Sequence, residues 1–118
     1  MAAMAKRLNK ADRRLIEYAR KFRKGIIGDK PSARFCFMVC APLAGLLSFE
    51  GLTDADVTEG EVAPRGEPWE HCWLTLSDGR ILDPTADQFR DPDGKPMPAI
   101  YLGSKPEWYW LPASPPPR

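Results

Sequence analysis

The chain has one histidine, so any reaction that needs an imidazole base has to use His71. Its three cysteines are an odd number with no regular spacing and no tight Cys-x-x-Cys pair. That argues against a disulfide scaffold and points to free thiols in a reducing compartment. No run reaches the roughly 18 apolar residues of a membrane span. The start, MAAMAKRLNKADRR, carries charge without a following apolar stretch and does not read as a secretory signal. Together these absences predict a cytoplasmic protein, with later delivery to another cell or compartment left open. No internal repeat and no nucleic-acid-binding motif is visible.

An apolar share of 43% is enough for a real core, and 118 residues suit one domain. We read that domain as residues 1–112, followed by a flexible proline-rich tail at 113–118. The net charge of +1 hides an asymmetry. Residues 1–24 hold nine Lys and Arg against Asp12 and Glu17, a local +7, which leaves −6 for the rest. Such an arm can meet an acidic partner through residues 6–24, bind nucleic acid, or dock on its own acidic body. Docking is the plainer expectation.

Leu15, Ile16, Ala19 and Phe22 recur at helical spacing, which predicts a helix over about 9–24. Asn9 or Asp12 would cap its start and Gly25 would close it. GIIGDKPSAR reads as a linker. A second helix is expected from about Phe35 to Phe49, with Pro42 inside it forcing a kink or a delayed start, and Gly51 ending it. A short strand around Val57–Val62 follows, then a hairpin of WEHCWLTL and RILDPT about Ser77-Asp78-Gly79. A loop at 87–98 and a short strand in AIYLG complete the pattern. Helices first and antiparallel strands after predict an α+β fold, with N-terminal helices packed on a small antiparallel sheet.

A thiol is a good nucleophile only when ionised, which a neighbouring imidazole or a helix N-terminus favours. Cys36 falls at the expected start of the second helix. Asp83 lies on the strand next to His71 and can hold the other ring N–H. Strand parity makes this a geometric condition. A two-residue turn at Asp78-Gly79 pairs Leu74 with Asp83 and turns His71 to the opposite face. A three-residue loop of Ser77, Asp78 and Gly79 pairs Trp73 with Asp83 and brings His71 to the same face.

HCWLTLSDGRILDPTADQF is similar to the His-x-Trp … Asp-Pro-Thr hairpin of transglutaminase-like proteins. RFCFMVCAPLAGLLSFEGL resembles the nucleophile segment of arylamine N-acetyltransferases and related papain-fold proteins. The resemblance covers roughly residues 34–103. It implies a minimal papain/transglutaminase-like core in which Cys36 is the nucleophile, His71 the base and Asp83 the orienting acid, with no cofactor. Small bacterial and phage proteins with this pattern include glutamine deamidases. The resemblance therefore implies a cysteine hydrolase or acyltransferase acting on a protein or peptide amide: a thiol protease, a deamidase or a cross-linking enzyme.

Each of these residues also has a plainer use. Cys40 is the rival nucleophile if the helix starts at Pro42, and otherwise a small apolar residue. Cys72 faces away from His71 and belongs in the core. A zinc set of Cys36, Cys40, His71 and Cys72 is disfavoured, because adjacent strand residues do not easily reach one ion. Asp83 can serve the Asp-Pro-Thr turn alone. Gln88 can help line the site and bind substrate, give an amide to an oxyanion, or tie down its loop. Trp73 is expected to shield the site or pack beneath it. Trp108, Tyr109 and Trp110 read as core cover, or as a substrate wall. The alternative function is a catalytically silent binding or inhibitor protein that keeps the fold.

Overall fold

A computed structural model describes residues 8–30 and 35–111. The expected tail at 113–118, Lys6 and Arg7 of the basic arm, and residues 31–34 of the linker lie outside the described residues.

Helix α1 spans Lys10–Ile27. Asn9 caps it with a reciprocal box: its side chain accepts from the Asp12 N–H at 2.8 Å, and its own N–H donates to the Asp12 carboxylate at 3.1 Å. The expected end at Gly25 is corrected. The helix continues and buries Ile27, and it stops at Gly28 (φ 61°), whose N–H closes on the Lys24 carbonyl at 2.8 Å. Nothing crowds Gly25 inside the helix. Its entropic cost of about 1 kcal/mol is within what burying an isoleucine returns.

Helix α2 spans Cys36–Phe49 and buries Val39, Cys40, Leu43 and Leu47 along one face. The delayed start expected from Pro42 does not occur. Pro42 is exposed, as is Met38 one turn before it, so water can reach the carbonyl that loses its donor. Gly51 (φ 68°) follows the last turn, as the sequence predicts.

The strands are β1 (Ala55–Val62), β2 (Trp69–Leu76), β3 (Ile81–Asp83), β4 (Tyr101–Gly103) and β5 (Tyr109–Trp110). They form one antiparallel sheet in the order β4-β3-β2-β1-β5, so the fold is α+β. β5 is not foreseen from the sequence; it pairs with the end of β1 through Glu61 and Val62. Strand alternation divides the core into two clusters. On one face Cys72, Leu74, Leu76 and Leu82 meet Leu15, Ala19, Cys40, Leu43 and Leu47 of the helices. On the other, Val62, Trp73, Ile81 and Tyr109 pack with Phe89, Tyr101 and Trp108.

The basic helix docks on the body at one arginine. Arg23 makes a two-pronged pair with Asp87 (2.9 and 2.7 Å) and donates to the Pro84 and Ala99 carbonyls. A second tie runs the opposite way, from Arg80 on the body to Asp12 in α1 at 2.9 Å. Arg13, Arg14, Arg20, Lys21 and Lys24 remain exposed. No helix among the described residues is long and apolar enough to cross a membrane.

Candidate active site

The β2–β3 hairpin sets the geometry. Leu74 pairs with Leu82 and Thr75 with Ile81, and the Leu76 N–H donates to the Arg80 carbonyl at 2.9 Å. Ser77, Asp78 and Gly79 are left as a three-residue loop, with Gly79 at φ 90° in the left-handed region that glycine favours. The same register carried one step further puts Trp73 opposite Asp83, so His71 and Asp83 share a face. Their side chains meet there, His71 Nε2 to Asp83 Oδ2 at 2.7 Å, both buried.

The carboxylate is held from several sides. Tyr109 donates its hydroxyl to the same oxygen at 2.6 Å, and the Thr85 N–H donates to the other at 3.0 Å. A carboxylate only accepts, so Nε2 of His71 carries a proton. Phe89 stands edge-on to the imidazole with centroids 4.8 Å apart, and Trp73 and Tyr109 lie at 6.1 Å. The ring is therefore walled by aromatic groups.

Gln88 stands at the Nδ1 side of the imidazole, and it is not among the residues that line the cleft. Its amide nitrogen donates to the Thr85 carbonyl (3.1 Å) and hydroxyl (3.2 Å) and approaches His71 Nδ1 at 3.3 Å. The amide thus ties down its own turn. Held this way it suits a neutral ring, whereas Asp83 favours the charged one. The short, buried, charge-assisted bond outweighs the long neutral contact. Trp73 does not line the cleft either, and it is fully buried. Its indole N–H has no partner among the described residues. Its ring lies over Gly60, where any Cβ would overlap both the indole and the Trp110 carbonyl.

Cys36 is the first residue of α2 and is half-buried. β3 ends at Asp83, so β3 does not pair with the stretch of β2 that carries His71 and Cys72, and α2 packs across the face of β1 and β2. The Cys40 thiol approaches the Cys72 carbonyl at 3.7 Å. One turn earlier, Cys36 interacts with the Cys72 thiol and backbone and with the His71 ring. A cleft of about 440 Å³ opens at this point, with Cys36, His71 and Cys72 in its wall. Cys72 is buried on the helix side, as alternation requires, yet its sulfur acts directly on Cys36.

The ionisation of the pair follows from these contacts. The Cys36 thiol is pushed up to about 12: hydrogen bonding with the Cys72 side chain is the largest cause and burial the next, while His71 pulls it down. Burial alone would lower the His71 pKa. Hydrogen bonds with Asp83 and Cys36 overcome that and raise it to about 9. Tyr109 is pushed up by burial and by the Asp83 charge, so its hydroxyl stays a donor.

The structure therefore brings Cys36, His71 and Asp83 together, with Gln88 at the Nδ1 side of the ring and Trp73 buried beside it. Sequence reasoning missed Tyr109 as the second donor to Asp83 and Cys72 as the neighbour that governs the thiol. A Tyr flanked by two Trp signals burial but not its partner. Among the described residues no group of three or more His, Cys, Asp or Glu side chains is arranged to hold a metal ion. No protein-family model matches the chain, and neither does any curated protein or solved structure.

Proposed function

We propose that the chain is a cysteine-dependent hydrolase or acyltransferase acting on an amide or peptide, with Cys36 as nucleophile, His71 as general base and Asp83 as the orienting acid. The observation that carries this reading is the buried 2.7 Å bond from His71 to Asp83, made by a ring that also lines the cleft holding the Cys36 thiol. In the first step Sγ bonds to the carbonyl carbon while His71 takes the thiol proton. Collapse then breaks the C–N bond, and the proton passes to the leaving amine or ammonia. Water or an amine next attacks the thioester, which releases the acyl group and restores the thiol. The first N–H groups of α2 have no side-chain cap and lack intrahelical acceptors, so they are available to an oxyanion.

Because the resting thiol is neutral and held near 12, His71 must be unprotonated to act as base. The reactivity of Cys36 should therefore rise with pH toward about 9. The test is iodoacetamide alkylation across pH with peptide mapping, in wild type and His71→Ala. Dependence on His71 supports the reading; a rate at Cys36 that ignores the substitution refutes it. Intact-mass analysis of candidate substrates with wild type and Cys36→Ala then identifies the outcome. Conversion of amide to acid marks deamidation, fragments mark proteolysis, and loss of ammonia on joining marks cross-linking.

The raised thiol also favours a second reading, a silent binding protein that uses the exposed Arg14, Lys21 and Lys24 of α1 on an acidic partner. Such binding would weaken with salt and on charge reversal of those residues, while alkylation of Cys36 would not depend on His71.

A further inference from the structure

The thiol cleft has a charged wall that the proposed chemistry does not use. In the β1–β2 register Glu59 lies opposite Cys72, Gly60 opposite His71, and Glu61 opposite Glu70. Alternation therefore puts Glu59, Glu61 and Glu70 on one face with Cys72, and all three line the cleft beside Cys36. Like charges directly opposite across an antiparallel pair are destabilising, so the Glu61–Glu70 pairing costs the ribbon stability. Glu59 and Glu70 are exposed, and their side chains make no hydrogen bond or ion pair with a described residue. Glu61 accepts one hydrogen bond, from the Trp110 indole at 3.2 Å. No Lys or Arg is among the described residues that line the cleft. Phe37, 56% exposed, supplies an apolar surface at the same mouth.

A bound cation would relieve the repulsion between the carboxylates, and its aliphatic stem would find cover on Phe37. We infer that the cleft selects cationic amides: peptides with a lysine or arginine beside the bond attacked by Cys36, the ammonium or guanidinium being held by Glu59, Glu61 and Glu70. This inference rests on the proposed role of Cys36 as nucleophile. The three glutamates act as specificity determinants, concentrating positive charge next to the thiol.

The test uses a matched pair of thiol reagents, a trimethylammonium-ethyl and a sulfonato-ethyl methanethiosulfonate, with modification at Cys36 read by peptide mass. Relative to a free cysteine derivative, wild type should favour the cationic reagent by about tenfold, the lower end of electrostatic focusing in clefts. The combined variant Glu59→Gln, Glu61→Gln, Glu70→Gln should bring the ratio back to that of the free thiol, and added salt should do the same in wild type. The inference is overturned if the wild-type ratio equals that of the free thiol, or if the glutamine variant keeps the preference. It is equally overturned if turnover of paired peptides is as fast with glutamate as with lysine beside the bond. Because these reagents report on any accessible thiol, the ratio stays readable in His71→Ala. Failure of the catalytic reading and failure of the charge preference are thus separate results.

Discussion

Raising the pH through the window in which His71 gives up its second proton should destabilise the fold. Folding raises the pKa of this histidine from 6.5 to about 9. The folded state thus binds the proton more tightly than the unfolded chain. Its contribution is complete below 6.5, declines as pH rises through the folded value, and is gone above about 9. At about 1.4 kcal/mol per unit the shift corresponds to roughly 3 kcal/mol. With the ring only 3% exposed, little of that is screened by solvent. Urea unfolding at pH values spanning the window measures the loss. An NMR titration of the only imidazole in the chain gives the folded pKa without ambiguity. Asp83→Asn is the control. It removes the charge, leaves burial as the main influence, and should bring the His71 pKa below 6.5 and flatten the stability profile. Titration of native wild-type His71 at or below 6.5, or stability unchanged across the window, would refute this account.

Cys72→Ala should make Cys36 more reactive, because the Cys72 side chain is the largest influence holding that thiol up; faster alkylation near neutral pH is the expected result, and an unchanged or slower rate counts against it. Tyr109→Phe keeps the ring and removes the 2.6 Å bond to Asp83, which should cost about 1.5–3 kcal/mol in urea unfolding, the range for a hydrogen bond to a charged group. The same variant should raise the His71 pKa further, since Asp83 loses a competing donor. Gly60→Ala forces a Cβ against the Trp73 indole and the Trp110 carbonyl, and the carbonyl is fixed by strand pairing. A loss of about 1–3 kcal/mol is expected, and wild-type stability in that variant would show that the strands shift freely.

What was legible in the sequence follows from which interactions are local. The helix start at Asn9 or Asp12 and a turn at Ser77-Asp78-Gly79 are decided within a few residues, so pattern and turn chemistry suffice for them. Pattern leaves both turn lengths open, and the pairing of Leu74 with Leu82 is what fixes the parity of β2 against β3. The end of α1 was misread because Gly25 is a helix breaker by propensity alone, whereas burial of Ile27 on the body is a tertiary gain that propensity does not see. β5 is two residues long, and its pairing with β1 depends on a contact some 48 positions away in the chain. Alternation correctly gave Cys72 a buried place on the helix side. It could not give the closeness of that sulfur to Cys36, which depends on where α2 begins on the face of β1 and β2. The residue types for a triad are thus readable from sequence, while the proton affinity of the Cys36 thiol is set by how a helix packs against a sheet. The thiol is consequently the part of the site where sequence and structure point in opposite directions. A helix start and a histidine favour the thiolate, but the packed neighbour Cys72 holds the proton on. Cys72→Ala separates the two influences, because only the second disappears with that side chain.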